Sequence, residues 1–246
     1  MDKLKEHWQS ESMMQWHKRQ FENPKRNCVY IEKFISKFQK LNGQKVLDLA
    51  CGGGAEAVYF LKKNPDMEIH GVDYIGDAFD YFNEKMSNEI KSKIKLSVGD
   101  WYHLDEGLIG RYDGVISLET LSWMDEWKRP IDAVVNLRPK WMAFSSLFYE
   151  GKIHYKIKME DHEVTQSKDG FDVVNYNIYS IPLIREYLSL QGYPIFHYER
   201  FVMDIDLPKP DHMGTGTYTV KTEDGSRLQI SAAMMMPWYF IYAAKN

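Results

Sequence analysis

A run of small residues flanked by acidic ones is the part of the sequence best suited to hold a ligand. Cys51-Gly52-Gly53-Gly54 follows the largely apolar run Val46-Leu47-Asp48-Leu49-Ala50, and a helical stretch begins at Ala55. Small residues let a ligand approach the backbone, and amide groups at a helix start can meet polar ligand atoms. Asp48 and Glu56 would repel a pyrophosphate but attract a sulfonium or ammonium group. The loop is therefore predicted to prefer a cationic ligand.

Two further acidic residues follow strand-like runs. Asp73, with Tyr74 after it, lies at the spacing from the glycine loop where a carboxylate can accept hydrogen bonds from both hydroxyls of a ribose. The Asp100 carboxylate can accept from an adenine amino group while the Trp101 indole packs on the ring. The purely structural alternatives are a helix N-cap for Asp73 and a loop cap with a core tryptophan for Asp100-Trp101.

The elements that must position these residues alternate along the chain. Strand-like runs occur at 45–50, 69–73, 94–98, 112–118 and 141–148, with helix-like segments at 29–41, 55–63, 76–90 and 130–137. This alternation indicates a parallel sheet with right-handed crossovers. After residue 149 the pattern predicts two β-hairpins, at 153–178 and 218–230, a helix at 181–191, and strands at 195–206 and 236–243.

The motifs together resemble those of class I methyltransferases that use S-adenosylmethionine (SAM). The resemblance covers residues 29 to 148 and is carried by these segments: Val46 to Gly54, Gly71-Val72-Asp73, Gly99-Asp100-Trp101 and Tyr112 to Ser117. It implies an α/β fold with a Rossmann-like, seven-stranded, mostly parallel sheet, helices on both faces and an antiparallel last strand. It also implies SAM as cofactor and S-adenosylhomocysteine (SAH) as product.

The resemblance also assigns roles to particular residues. Gly52 and Gly54 would contact the methionine moiety, Asp73 the ribose, and Asp100 with Trp101 the adenine. Ala50 stands where a glycine is commoner in the family. The full set of predicted donor-binding residues is Trp16, Asp48, Ala50, Gly52, Gly54, Asp73, Tyr74, Asp100, Trp101 and Glu119.

Candidates for chemistry on the acceptor follow the fourth strand. Glu119 is predicted to face the donor's charged end or to act as a base, with a helix cap as the alternative. His154 is a second candidate base, although an isolated histidine is more often a surface or core residue. Trp123, Tyr155 and Tyr176 are predicted to contact the acceptor. Because no histidines or cysteines cluster at metal-ligand spacing, no metal is predicted.

Residues 1–28 are predicted to form an N-terminal helical lid, with an amphipathic brace as the alternative. Residues 29–246 would form the methyltransferase domain, with insertions at about 152–178 and 214–233 that cap the active site. A roofed site favours a small acceptor such as a sugar, a nucleotide-linked sugar or a natural-product intermediate, with oxygen preferred to nitrogen as the methylated atom. The sequence does not specify an oligomeric state.

Composition excludes several classes of partner. The formal net charge of −4 disfavours a nucleic-acid substrate, because such binding depends on Lys and Arg that neutralise phosphates. The two cysteines cannot form a disulfide framework, which fits a reducing cytoplasm. No stretch approaches the ~20 apolar residues of a membrane span.

Two other functions remain open on the sequence alone. One is a non-catalytic module that binds SAM or a nucleotide and engages a protein partner. The other is a Rossmann oxidoreductase, because the loop also satisfies a looser form of the dinucleotide-binding pattern. Glu56 counts against the oxidoreductase, since its charge opposes that of a pyrophosphate.

Overall fold

A mixed β-sheet forms the centre of the molecule. A computed structural model of the chain describes residues 11–161, 172–209, 216–231 and 233–246. The central sheet contains these strands: β1 (Lys45–Leu49), β2 (Glu68–Asp73), β3 (Ile94–Val98), β4 (Gly114–Leu118), β5 (Trp141–Tyr149), β8 (Tyr179–Ser180), β9 (Ile195–Arg200) and β13 (Trp238–Ala244). The main path runs β3-β2-β1-β4-β5-β13-β9, and the two-residue β8 pairs with β5.

The strand directions confirm the predicted fold. Strands β1 to β5 pair in parallel, whereas β13 is antiparallel to both β5 and β9. The strand order reverses between β1 and β4, and in open α/β sheets ligands bind in the crevice beyond the carboxyl ends of the strands at such a point. The glycine loop follows β1 and Glu119 follows β4, so the fold brings both to this crevice.

Helices cover both faces of the sheet. They are α1 (Glu11–Glu22), α2 (Arg26–Ile35), α3 (Ala55–Lys63), α4 (Asp80–Lys85), α5 (Asn88–Lys93), α6 (Lys128–Asn136) and α7 (Ile181–Leu190). One core cluster joins α2 and α3 to one face through residues such as Ile31, Phe60 and Phe240. The other joins α6 and α7 to the opposite face through residues such as Val134 and Leu188. Burial on both faces is typical of parallel strands.

Several predicted boundaries were wrong. Helix α2 begins at Arg26 and ends at Ile35, earlier than the predicted segment 29–41. The predicted helix 76–90 is instead a 3₁₀ turn followed by α4 and α5, because Ser87 ends one helix and caps the next by accepting a hydrogen bond from the Ile90 amide. Strand β9 ends at Arg200, where its pairing with β13 stops, and not at residue 206.

Both predicted hairpins are present. Strands β6 (Lys158–Asp161) and β7 (Asp172–Asn175) pair antiparallel, as do β10 (Thr217–Lys221) and β11 (Arg227–Ser231), the latter joined by β12 (Met234–Met235). Parts of the predicted insertions, at 162–171, 214–215 and 232, lie outside the described residues. Among the helices of the described segments, none combines the length and apolar character that crossing a membrane requires.

Candidate active site

The glycine loop turns sharply between β1 and α3. Gly52 and Gly54 have positive φ angles of 53° and 84°, and Ala50 also adopts this region with φ 58°. A left-handed conformation favours glycine, so Ala50 is held there at some cost. The Ala50 amide donates to the Val72 carbonyl at 2.8 Å and so ties the start of the loop to β2.

Asp73 braces the glycine loop from the end of β2. Its carboxylate accepts hydrogen bonds from the Gly52 amide at 2.8 Å and from the Ile75 amide at 3.0 Å, one at each oxygen. The residue is 7% exposed, and burial raises the pKa of the carboxyl despite these two hydrogen bonds. Each carboxylate oxygen has a second lone pair, so bracing the loop leaves Asp73 able to accept further hydrogen bonds.

Of the two residues predicted to hold adenine, Asp100 lies at the surface and Trp101 lies in the core. The exposed Asp100 carboxylate accepts from the Tyr102 amide at 2.8 Å and contacts the His103 ring. The Trp101 indole is buried, donates to the Pro130 carbonyl at 2.9 Å, and stacks near Phe144. Asp100 therefore caps its own turn, and Trp101 packs within the core, where it offers little open surface to a ligand.

An ammonium group lies between two of the predicted acidic residues. The Lys25 Nζ atom is 3.2 Å from Glu56 and 3.1 Å from Glu119, and it lies 4.5 Å from the centre of the Trp16 ring. Burial would lower the pKa of Lys25, but the charges of Glu119 and Glu56 outweigh it and raise that pKa. Glu119 itself has a positive φ of 60°, a conformation that aims the chain as it leaves β4.

Sequence reasoning did not single out Lys25. It follows Pro24 in the N-terminal segment, and lysines are mostly surface residues. A signal was nevertheless present, because several acidic residues were predicted to meet at one loop and buried charges are paired. This excess of negative charge predicts a basic partner from a segment outside the motifs that resemble the methyltransferase family.

Asp48 is buried at the end of β1, close to the same loop, and not all of its hydrogen-bonding capacity is used among the described residues. It is 2% exposed, and one of its oxygens, Oδ2, has no hydrogen-bond partner among the described residues. Burial raises the pKa of this carboxyl well above its usual range, and the nearby charges of Glu56 and Asp73 add to the effect. An unpartnered buried carboxyl beside a glycine turn fits a ligand that brings hydrogen-bond donors or positive charge.

The N-terminal helix α1 closes over the loop. A Cβ atom added to Gly52 would lie only 2.7 Å from the His17 ring, so the imidazole rests directly on the glycine backbone. Burial, together with the charge of Lys25, lowers the pKa of His17 to about 4. His17 is therefore neutral at physiological pH, in contact with the backbone predicted to meet the methionine moiety.

Three separate segments meet at Tyr176, within range of the charge of Glu119. Trp123, in the turn after β4, packs against Tyr176 with ring centres 4.9 Å apart. The Tyr176 hydroxyl is hydrogen-bonded to Ser231 on β11, and burial raises the pKa of Tyr176 to about 12. Tyr155, by contrast, is exposed and packs edge-on against Tyr149 at the end of β5. The structure thus brings Trp123 and Tyr176 together and places Tyr155 in a different aromatic contact.

His154 belongs to an aromatic cluster with Trp127 and Tyr179. Its Nδ1 atom accepts a hydrogen bond from the Ser180 amide at 3.0 Å, and burial lowers its pKa. This backbone hydrogen bond gives the ring a structural role and fixes the neutral tautomer with its proton on Nε2. Within the residues that the structure describes, no group of three or more His, Cys, Asp or Glu side chains could hold a metal ion.

Comparison with known proteins gives the same family as the motifs. A family model described as "Methyltransferase domain" matches residues 46–137. (S)-coclaurine N-methyltransferase from Papaver somniferum is 22% identical over 143 residues, which are 57% of this chain and 38% of that protein. The chain therefore corresponds to well under half the length of that curated relative.

Solved structures share the fold at low sequence identity. Magnesium protoporphyrin IX methyltransferase from Synechocystis PCC 6803, solved with bound SAH, superposes with a TM-score of 0.56 and 14% identity, covering 99% of this chain and 98% of that one. A complex of the Haloferax volcanii Trm112 methyltransferase activator with a methyltransferase matches with a TM-score of 0.61 and 13% identity, covering 98% and 97%. The family model thus identifies residues 46–137 as a methyltransferase domain, and the strand order agrees with the fold of the SAM-dependent methyltransferases that the motifs resemble.

Proposed function

We propose that this methyltransferase acts on a small molecule bound between the turn after β4 and the two inserted hairpins. The observation that carries the proposal is that Tyr176 contacts both Trp123 and Ser231, which come from separate segments, and lies within range of the charge of Glu119. Aromatic side chains with a few polar groups are typical of small-ligand sites. The curated relative that shares this family is by its name an N-methyltransferase of a small molecule, (S)-coclaurine.

On the donor side we propose the roles that the family resemblance suggests. Gly52 and Gly54 would contact the methionine moiety and Asp73 the ribose, with Tyr74 beside it. Asp100 would hold the adenine, while Trp101 would support that turn from the core. The close approach of His17 to Gly52 supports this assignment, because it shows a backbone surface that a side chain or ligand can reach without meeting a Cβ atom.

We also propose that residues 1–28 act as a lid on a methyltransferase domain formed by residues 29–246. Of this segment the structure describes residues 11–28, and α1 packs on the start of α3 through the contact between His17 and the glycine loop. Opening of such a lid would admit the donor, and closing would exclude water from the site.

The proposed reaction depends mainly on positioning. SAM would supply a methyl group on a sulfonium, from which neutral SAH is a good leaving group. The protein must hold the acceptor atom in line and keep water out, which the buried Tyr176 and the partly buried Trp123 can do as an aromatic wall. Glu119 is bound by Lys25, so it is not free to take a proton from an acceptor while that ion pair is intact. His154 remains the second candidate base, but it would act through Nδ1 after releasing the Ser180 amide, because Nε2 carries the proton of the neutral ring.

The test is turnover of a metabolite extract with SAM that carries a deuterated methyl group. A small-molecule acceptor predicts a product whose mass differs between labelled and unlabelled donor and that is absent without enzyme. Trp123→Ala should abolish this product while SAM binding persists, because only the acceptor wall is removed. Binding of SAM without any labelled product would instead favour a non-catalytic module. Fragmentation of the product would show whether oxygen, as predicted from the sequence, or nitrogen carries the methyl group.

A further inference from the structure

Three side chains surround the Lys25 ammonium and are here called the cation cage: Trp16, Glu56 and Glu119. The ring face of Trp16 lies 4.5 Å from Nζ, and the two carboxylates lie 3.2 and 3.1 Å from it. The Lys25 side chain is only 20% exposed, so this contact is largely removed from water. An aromatic face combined with carboxylates is the chemistry by which proteins recognise ammonium and related cations.

The cage lies at the crevice where the ligands are expected. Glu56 is in the first turn of α3, directly after the glycine loop, and Glu119 is the first residue after β4. His17 lies on Gly52, and the charges of both Lys25 and Glu56 affect its pKa. The groups that would attract a cationic ligand in this crevice are therefore already paired with Lys25.

We propose that Lys25 is an internal occupant of a cation site, and that its ammonium yields the cage to a sulfonium or ammonium group of a bound ligand. The proposal rests on the proposed methyltransferase function. Lys25 lies between α1 and α2, so movement of α1 would carry the ammonium away from Glu56 and Glu119. The exchange replaces one positive charge by another, whereas adding a second cation beside Lys25 would cost repulsion at short range.

The opposite role for Lys25 would be to bind a carboxylate of the ligand, and the two roles predict effects of opposite sign. An internal occupant competes with the ligand at the high effective concentration of a tethered group. Removing its charge should therefore strengthen ligand binding. A carboxylate anchor contributes to binding, so removing its charge should weaken it.

The experiment is calorimetry of the full chain and its Lys25→Gln variant with SAM and with SAH, which lacks the sulfonium charge. Tighter SAM binding by about tenfold, with SAH little changed, would identify the sulfonium as the occupant. An equal gain for SAM and SAH would identify the ammonium group that both carry. A gain only for tetramethylammonium, titrated with SAH present, would identify a cationic acceptor. Weaker binding of SAM and SAH, or no change in any of the three, would overturn the proposal.

Two controls keep the result interpretable. Lys37→Gln removes an ammonium that likewise lies near an aromatic ring and a carboxylate, those of Phe34 and Glu199, but on the surface, and it should change none of these affinities. Lys25→Arg retains the charge and should fold even where the glutamine variant does not. A guanidinium binds carboxylates through a rigid fork, so arginine should occupy the cation cage more firmly and weaken binding of whichever cation Lys25→Gln binds more tightly. Unchanged or tighter binding of that cation by Lys25→Arg would contradict the proposal.

The same titrations separate this inference from the function on which it rests. If the unmodified protein bound neither SAM nor SAH, the proposed function would fail. If it bound both and methylated a metabolite while the Lys25 variants bound SAM, SAH and tetramethylammonium as the unmodified protein does, only the proposed role of Lys25 would fail.

Discussion

Protonation of His17 is predicted to loosen helix α1 from the glycine loop. The imidazole rests on Gly52, is 9% exposed, and has a pKa lowered from 6.5 to about 4 by burial and by the charge of Lys25. Glu56, on α3, acts in the opposite direction but does not offset these effects. When α1 moves away, the ring returns to water and regains its ordinary pKa.

The sign and size follow from proton linkage. Because the pKa is lower in the closed arrangement, closure releases a proton at pH values between about 4 and 6.5. The contribution of neutral His17 to closure is therefore fully present above pH 6.5 and is lost as the pH falls from 6.5 towards 4. A depression of that size corresponds to about 2 kcal/mol at pH 5 and to about 3 kcal/mol once the pH is below 4.

Hydrogen exchange of the α1 amides, expressed as protection factors, measures this effect directly. Protection in the unmodified protein should decrease between pH 6.5 and 4, and the decrease should be smaller in His17→Gln because glutamine does not titrate. Asp48 and Asp73, whose pKa values are raised, also titrate as the pH falls, so the difference between the two proteins isolates His17. His197→Gln, on the edge strand β9, serves as the control and should follow the unmodified protein. Equal profiles for the unmodified protein and His17→Gln would refute the reasoning.

Three further substitutions test the site. Asp73→Ala should weaken SAM binding in calorimetry by about 1–3 kcal/mol, because it removes a brace of the Gly52 amide and a ribose acceptor; unchanged affinity in a folded variant would mean that Asp73 serves only the turn. Gly52→Ala should reduce the α1 protection factors at neutral pH, since the added Cβ would lie 2.7 Å from the His17 ring, and full protection would show that the helix does not depend on this contact. Tyr176→Phe removes the hydrogen bond to Ser231 and should raise the KM for the acceptor in steady-state assays while SAM affinity is kept, whereas equal loss of both would contradict the division between donor and acceptor sides.

Much of the fold could be predicted because its signals are local. The strand, glycine loop and helix at residues 45–63 lie within one short segment, and the alternation of strands and helices up to residue 149 limits the sheet to a parallel core. Once β1 lies between β2 and β4, the residues at the carboxyl ends of these three parallel strands must meet at one edge of the sheet. The positions of Asp73 and Glu119 beside the glycine loop follow from this rule without knowledge of side-chain packing.

Boundaries and buried partners could not be predicted in the same way. The apolar spacing did not show that α2 begins at Arg26, because Asn27, a polar residue, is buried on its inner face. Trp101 carries the same sequence signal whether it covers a ligand or fills the core, and only its hydrogen bond to the Pro130 carbonyl shows the core packing. In each instance the sequence specifies the residue, while its surroundings depend on segments far along the chain.

The sequence by itself therefore determined the methyltransferase domain, the SAM donor and the edge of the sheet proposed for the site, since these depend on residue types at short, fixed spacings. Only the tertiary structure showed that Lys25 bridges Glu56 and Glu119 and that His17 lies on Gly52. These contacts join residues from 31 to 94 positions apart, and they form because α1 and α2 pack against the glycine loop. Burial then makes the charge pairing strong, and burial is a property of the packed chain that local spacing does not encode.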